Sequence, residues 1–87
     1  MKLRVSMAGD HVNIDVIRRV LGEFDGESVV ELNRKVSCVF LIWSSTADGD
    51  DRSLSVAIPR TWLTDPQRAL RLEETTRSFA GRIVKAM

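Results

Sequence analysis

Apolar and polar residues alternate from the start of the chain, with Leu3, Val5 and Met7 on one side and Lys2, Arg4 and Ser6 on the other. A period of two predicts a half-buried strand over 2–8, and Gly9-Asp10 should end it. The period then lengthens. Ile14, Ile17, Leu21 and Phe24 recur at helical spacing with Arg18, Arg19 and Glu23 between them, and Asn13 stands where a cap belongs. The β-branched residues Val12, Ile14, Val16 and Ile17 would also suit a hairpin partner for the first strand. A helix over 12–24 is the expectation and a strand the alternative, with Asp25-Gly26 as the stop.

Val29 to Leu32 reads as a short strand and Asn33-Arg34 as a turn into a long one over 35–45. The polar loop ADGDD, 47–51, separates that strand from RSLSVAI, 52–58, where Leu54, Val56 and Ile58 share a face and Pro59 ends the ladder. Thr64-Asp65-Pro66-Gln67 resembles a capping box with proline in the first turn. It predicts a helix over 65–85 whose inward stripe is Leu72, Thr76, Phe79 and Ile83, flanked by Ala69 and Ala80. The order is β-α-β-β-β-α. Two amphipathic helices require an apolar sheet face. The expected fold is therefore α+β, a single small domain spanning 1–87. A four-stranded, mainly antiparallel sheet would carry two helices packed on one face.

The stretch VSCVFLIWSS, 36–45, breaks the alternation, because from Val36 to Trp43 only Ser37 is polar. A strand with one wet face should not look like this. Centring the following loop on Gly49 sets Ser44 opposite Leu54, Ile42 opposite Val56 and Phe40 opposite Ile58, on the core face with Cys38. Val39, Leu41 and Trp43 then fall on the other face beside Pro59, Ala57 and Ser55, and a two-layer fold leaves that face open. An error of one residue in the register would exchange the faces. Helices on opposite faces, or Trp62 folded over the patch, would cover it from within the chain. On the Gly49 register, Val39, Leu41, Trp43 and Trp62 are the expected protein-interaction residues. Trp43→Ala should then weaken association, and Phe40→Ala should destabilise the core.

Composition adds limits. The 87 residues are 44% apolar and 29% charged, which is ordinary for a small globular domain. The formal charge of +1 supplies no global pull toward nucleic acid or membrane. The charge is unevenly spread: residues 1–51 hold six basic and nine acidic residues, and residues 52–87 hold seven basic and three acidic. Along the last helix Arg68, Arg71, Thr75, Ser78, Arg82 and Lys85 step by three or four. Such a stripe can track phosphates, or it can be a solvated face supported by Glu73-Arg77 at i, i+4. MKLRVSMAGD has no stretch apolar enough for a signal peptide, and no run approaches a membrane span. A cytoplasmic protein without membrane contact is expected.

No constellation of catalytic groups emerges. His11 is the only histidine and Cys38 the only cysteine, so neither has the companions a metal site requires. Cys38 reads as a small buried hydrophobe. MAGDH and FDGES lack the spacing of phosphate loops. ADGDD lacks the alternating ligands of a calcium loop. The expectation is a non-enzyme without cofactor.

The β-α-β-β-β-α order is similar to that of small ribosome-hibernation proteins, and its α-β-β-β-α portion looks like a double-stranded-RNA-binding domain. That resemblance is of topology, and it implies association with RNA. The basic loop and helix-start residues that such domains use have no counterpart in TDPQRALRLEE. The first expectation is a protein-interaction module, a small adaptor or inhibitor that binds a partner protein or forms a homodimer through the open sheet face. The alternative is a nucleic-acid- or ribosome-associated regulator whose contacts are Arg68, Arg71, Arg82 and Lys85.

Overall fold

The computed structural model describes residues 1–6, 12–35, 38–47 and 49–87. Strand β1 (Lys2–Val5) is followed by helix α1 (Ile14–Gly22), and then by β2 (Val29–Arg34), β3 (Cys38–Ala47) and β4 (Asp50–Pro59). A short helix α2 (Thr61–Thr64) and a 3-10 turn (Pro66–Arg68) lead into α3 (Ala69–Ala86). The sheet order is β1-β2-β3-β4. β1 runs parallel to β2, while the β2–β3 and β3–β4 pairs are antiparallel. The expected α+β sheet is thus present, but mixed.

The parallel pair decides between helix and strand over 12–24. Parallel neighbours cannot be joined by a tight hairpin and need a crossover. α1 supplies it, burying Ile17, Val20 and Leu21. Tertiary burial of that face outweighs the weak helix propensity of its β-branched residues. Met7, Gly9 and Asp10 lie outside the described residues.

α3 buries Leu72, Thr76, Phe79, Ala80 and Ile83, which is the expected stripe. It begins at Ala69, not at 65. Asp65 precedes Pro66, and a residue before proline is pushed out of the helical region. Asp65 is accordingly extended, at φ −100° and ψ 113°. Its carboxylate, not the Thr64 hydroxyl, caps the turn, accepting a hydrogen bond from the Gln67 N–H at 3.0 Å.

Asn13 stands at the start of α1 but its side chain does not cap the helix. Its amide donates to the carbonyls of Trp62 at 2.7 Å and Asp65 at 2.8 Å. Its backbone N–H donates to the Leu63 carbonyl at 3.0 Å. One buried side chain thereby ties the first helix to the connection between β4 and α3. On the outer surface Arg77 of α3 reaches Glu23 beyond α1 at 2.8 Å, and Arg19 of α1 reaches Glu73 of α3 at 3.1 Å. The Arg77 guanidinium is held above its ordinary pKa, chiefly by its hydrogen bond to Glu23. The expected Glu73–Arg77 pair is also formed, at 3.5 Å.

Candidate functional site: the open face of the sheet

The register of β3 against β4 differs by one residue from the expectation. Ala47 pairs with Asp50, Trp43 with Leu54, Leu41 with Val56 and Val39 with Ile58. Only residues 48 and 49 lie between the closing pair. Gly49 has φ +80°, a conformation that favours glycine. Asp-Gly between two apolar runs is a strong two-residue hairpin signal, and a loop centred on Gly49 is one residue too long.

A one-residue slip exchanges faces. Val39, Leu41 and Trp43 are therefore in the core beneath the helices, Val39 and Leu41 fully buried and Trp43 3% exposed. They form no interaction surface in this chain. Trp62 does not fold over the other face either. It packs half-buried against the core cluster, with the Arg71 guanidinium 5.9 Å from its ring centroid.

The side chains left on the second face are Cys38, Phe40 and Ile42. All three are half-buried, and none belongs to the core cluster or packs against it. Their partners across the β3–β4 ladder are Pro59, Ala57 and Ser55, all exposed. Cys38 carries a free thiol and is not the core residue expected. The outer positions of β1 and β2 are polar except for Val29, which pairs with Lys2 and is exposed. Arg4 lies opposite Glu31, with their side chains 3.2 Å apart. The Ser6 hydroxyl donates to the same carboxylate at 3.1 Å. Those two hydrogen bonds, Arg4 first, hold the Glu31 carboxyl below its ordinary pKa.

The open face is thus divided. An apolar strip follows β3 and is flanked by the small residues Ser55, Ala57 and Pro59 of β4, and a largely charged strip follows β1 and β2. Where the strips meet, a shallow depression of about 430 Å³ is lined by Arg4, Val29, Glu31, Ile42 and Ser44, among others. Among the described residues no helix or loop covers either strip, because both long helices pack on the opposite face with the core cluster.

Of the expected basic stripe, Arg71, Arg82 and Lys85 lie on α3 and Arg68 in the 3-10 turn before it, and all four are exposed. Arg68 faces Asp65 at 3.8 Å, and Arg71 lies over Trp62. No group of three or more acidic, histidine or cysteine side chains is placed to hold a metal among the described residues. His11 and Asp48 lie outside them. No described helix is long and apolar enough to cross a membrane. Comparison with protein families, curated proteins and solved structures finds no match.

One cause places Phe40 and Ile42 on the surface, against the Gly49-centred expectation. In an unbroken apolar run both faces look alike, so only the turn sets the parity. The signal that could have found them was Asp48-Gly49.

Proposed function

We propose that this chain is a non-enzymatic protein-binding module, and that its binding surface is the apolar strip of the open sheet face. One observation carries the reading: β3 is apolar on both sides, yet the helices cover only one. Phe40 and Ile42 stand beside Ser55 and Ala57, so a ring and a branched side chain rise above small neighbours. Burying such anchors against a partner is the usual source of interface energy, at about 2 kcal/mol or more per anchor. The charged strip with Arg4 and Glu31 would form the polar rim.

The occupant is a second protein surface, from another chain or from a second copy. Sedimentation equilibrium distinguishes the two. Affinity capture with the wild-type chain and with the double variant Phe40→Ser, Ile42→Ser then tests the surface. Any specific, stoichiometric partner should be lost with the double variant while its circular dichroism remains that of the folded chain. A partner retained equally by both would place the surface elsewhere.

The reading through α3 as a nucleic-acid contact is weaker. Arg68 is paired with Asp65, and the whole chain carries a formal charge of only +1, whereas nucleic-acid-binding domains are usually strongly basic.

A further inference from the structure

The sheet stops at β4, and this edge differs from the other one. β1 is four residues long and carries Lys2 and Arg4, a short charged edge of the kind that discourages pairing. β4 is ten residues long, and from Ser53 to Ile58 it has no charge. In a two-residue hairpin the closing pair, here Ala47 and Asp50, exchanges both backbone hydrogen bonds. Counting from it, Leu54, Val56 and Ile58 bond to β3. Asp51, Ser53, Ser55 and Ala57 turn their N–H and C=O groups outward. Among the described residues these outward groups have no backbone partner. Pro59 also falls on an outward position, where its missing N–H costs no bond to β3.

The space above this edge is basic. α3 lies over β4 and α1 over β1. Glu73 and Arg77 mark the flank of α3 that faces α1, through their ion pairs with Arg19 and Glu23. At about 100° per residue, Arg82 falls on the opposite flank, with Arg71 next to it. From the strand itself, Arg52 rises to donate to the Ala86 carbonyl at the end of α3.

We infer that the β4 edge accepts an extended, acidic segment of a partner protein as a fifth strand. Side chains of an added strand alternate between faces. Those pointing up would meet Arg71 and Arg82 and should be carboxylates. Those pointing down would continue the strip of Phe40, Ile42 and Ala57 and should be apolar. Strand addition of this kind takes its affinity from main-chain hydrogen bonds and its selectivity from alternate side chains. A second copy fits poorly, because pairing β4 with itself would bring two arginine-bearing flanks together. A nucleic acid could use the cations, but it offers no ladder to the outward amides. This inference concerns the edge and not the face, so it stands or falls separately from the function proposed above.

The test uses an end-blocked, fluorescein-labelled peptide of alternating Glu and Val, with a Lys-Val peptide and a single-stranded oligonucleotide of matched charge as the other probes. The Glu-Val peptide should raise fluorescence anisotropy, and salt should weaken it. The double variant Arg71→Glu, Arg82→Glu should weaken it tenfold or more without losing helix content. Amide exchange supplies a second readout that needs no variant. On peptide binding the Ser53, Ser55 and Ala57 amides should become protected, while those of Leu54 and Val56, already bonded to β3, should not change. Binding of the oligonucleotide alone would overturn the proposal in favour of nucleic acid. Protection of the same amides with rising protein concentration and no peptide would assign the edge to a second copy. No response to the Glu-Val peptide at millimolar concentration would remove the proposal.

Discussion

Trp43 lies directly opposite Leu54 across the β3–β4 ladder, and both side chains face the helices. The neighbouring pair, Ile42 and Ser55, faces away. Which residues are core and which are surface follows from this one register.

The first prediction tests it. Trp43→Ala should destabilise the folded chain by about 3–5 kcal/mol, as expected for removing a buried aromatic. Phe40→Ala should cost about 1 kcal/mol, because only part of its apolar area is removed from water. Denaturant unfolding of the two variants reads the difference, and the reverse order would restore the register centred on Gly49.

Asn13 is the second. Asn13→Ala removes both side-chain bonds to the Trp62 and Asp65 carbonyls and leaves those acceptors without this partner, a loss of about 1–3 kcal/mol. Asn13→Asp should be worse at neutral pH, since a carboxylate would then face two carbonyl oxygens. Thermal melts of the two variants at pH 7 check the order.

The third concerns acid. Glu31 titrates below the ordinary carboxylate range because Arg4 and Ser6 hydrogen-bond its charged form. A carboxyl whose pKa is lowered by folding stabilises the fold at pH values above its unfolded pKa. That contribution is lost as the pH falls through the lower, folded value. The pair is exposed, so the effect on stability should be small and should fade with salt. Carbon-detected NMR should find the Glu31 titration shifted to the acid side, and Arg4→Gln should move it back toward the normal range.

Much of this fold can be read from the chain. Alternation in KLRV, the helical stripe from Leu72 to Ile83 and the stop at Pro59 each place an element close to where it lies. What failed shares a physical cause. Where residues are apolar on both sides, as from Val39 to Trp43, periodicity carries no phase. The faces then depend on a turn of two residues whose geometry is set by Gly49. The late start of α3 has a similar origin. The capping pattern of Thr64 and Gln67 was correct in kind, but the extended backbone that Pro66 imposes on Asp65 moves the cap by one residue. The link from Asn13 to the Trp62 and Asp65 carbonyls has no signature in sequence at all, since its partners are backbone atoms some fifty residues away. An uncovered apolar face on this strand is legible in the sequence, but the Gly49-centred register gives it the wrong alternate residues.

Cys38 offers the most direct test of the claim that the second face of the sheet is covered by another protein. Its thiol lies on that face beside Phe40, and alkylation reports its accessibility. In the dilute purified chain Cys38 should react readily with a maleimide, somewhat more slowly than in the urea-unfolded chain. At native abundance in an extract of its own cells it should react several-fold more slowly, and Phe40→Ser should abolish that protection. Equal reactivity of Cys38 in the dilute purified chain and in the extract would show the face to be uncovered and contradict the account.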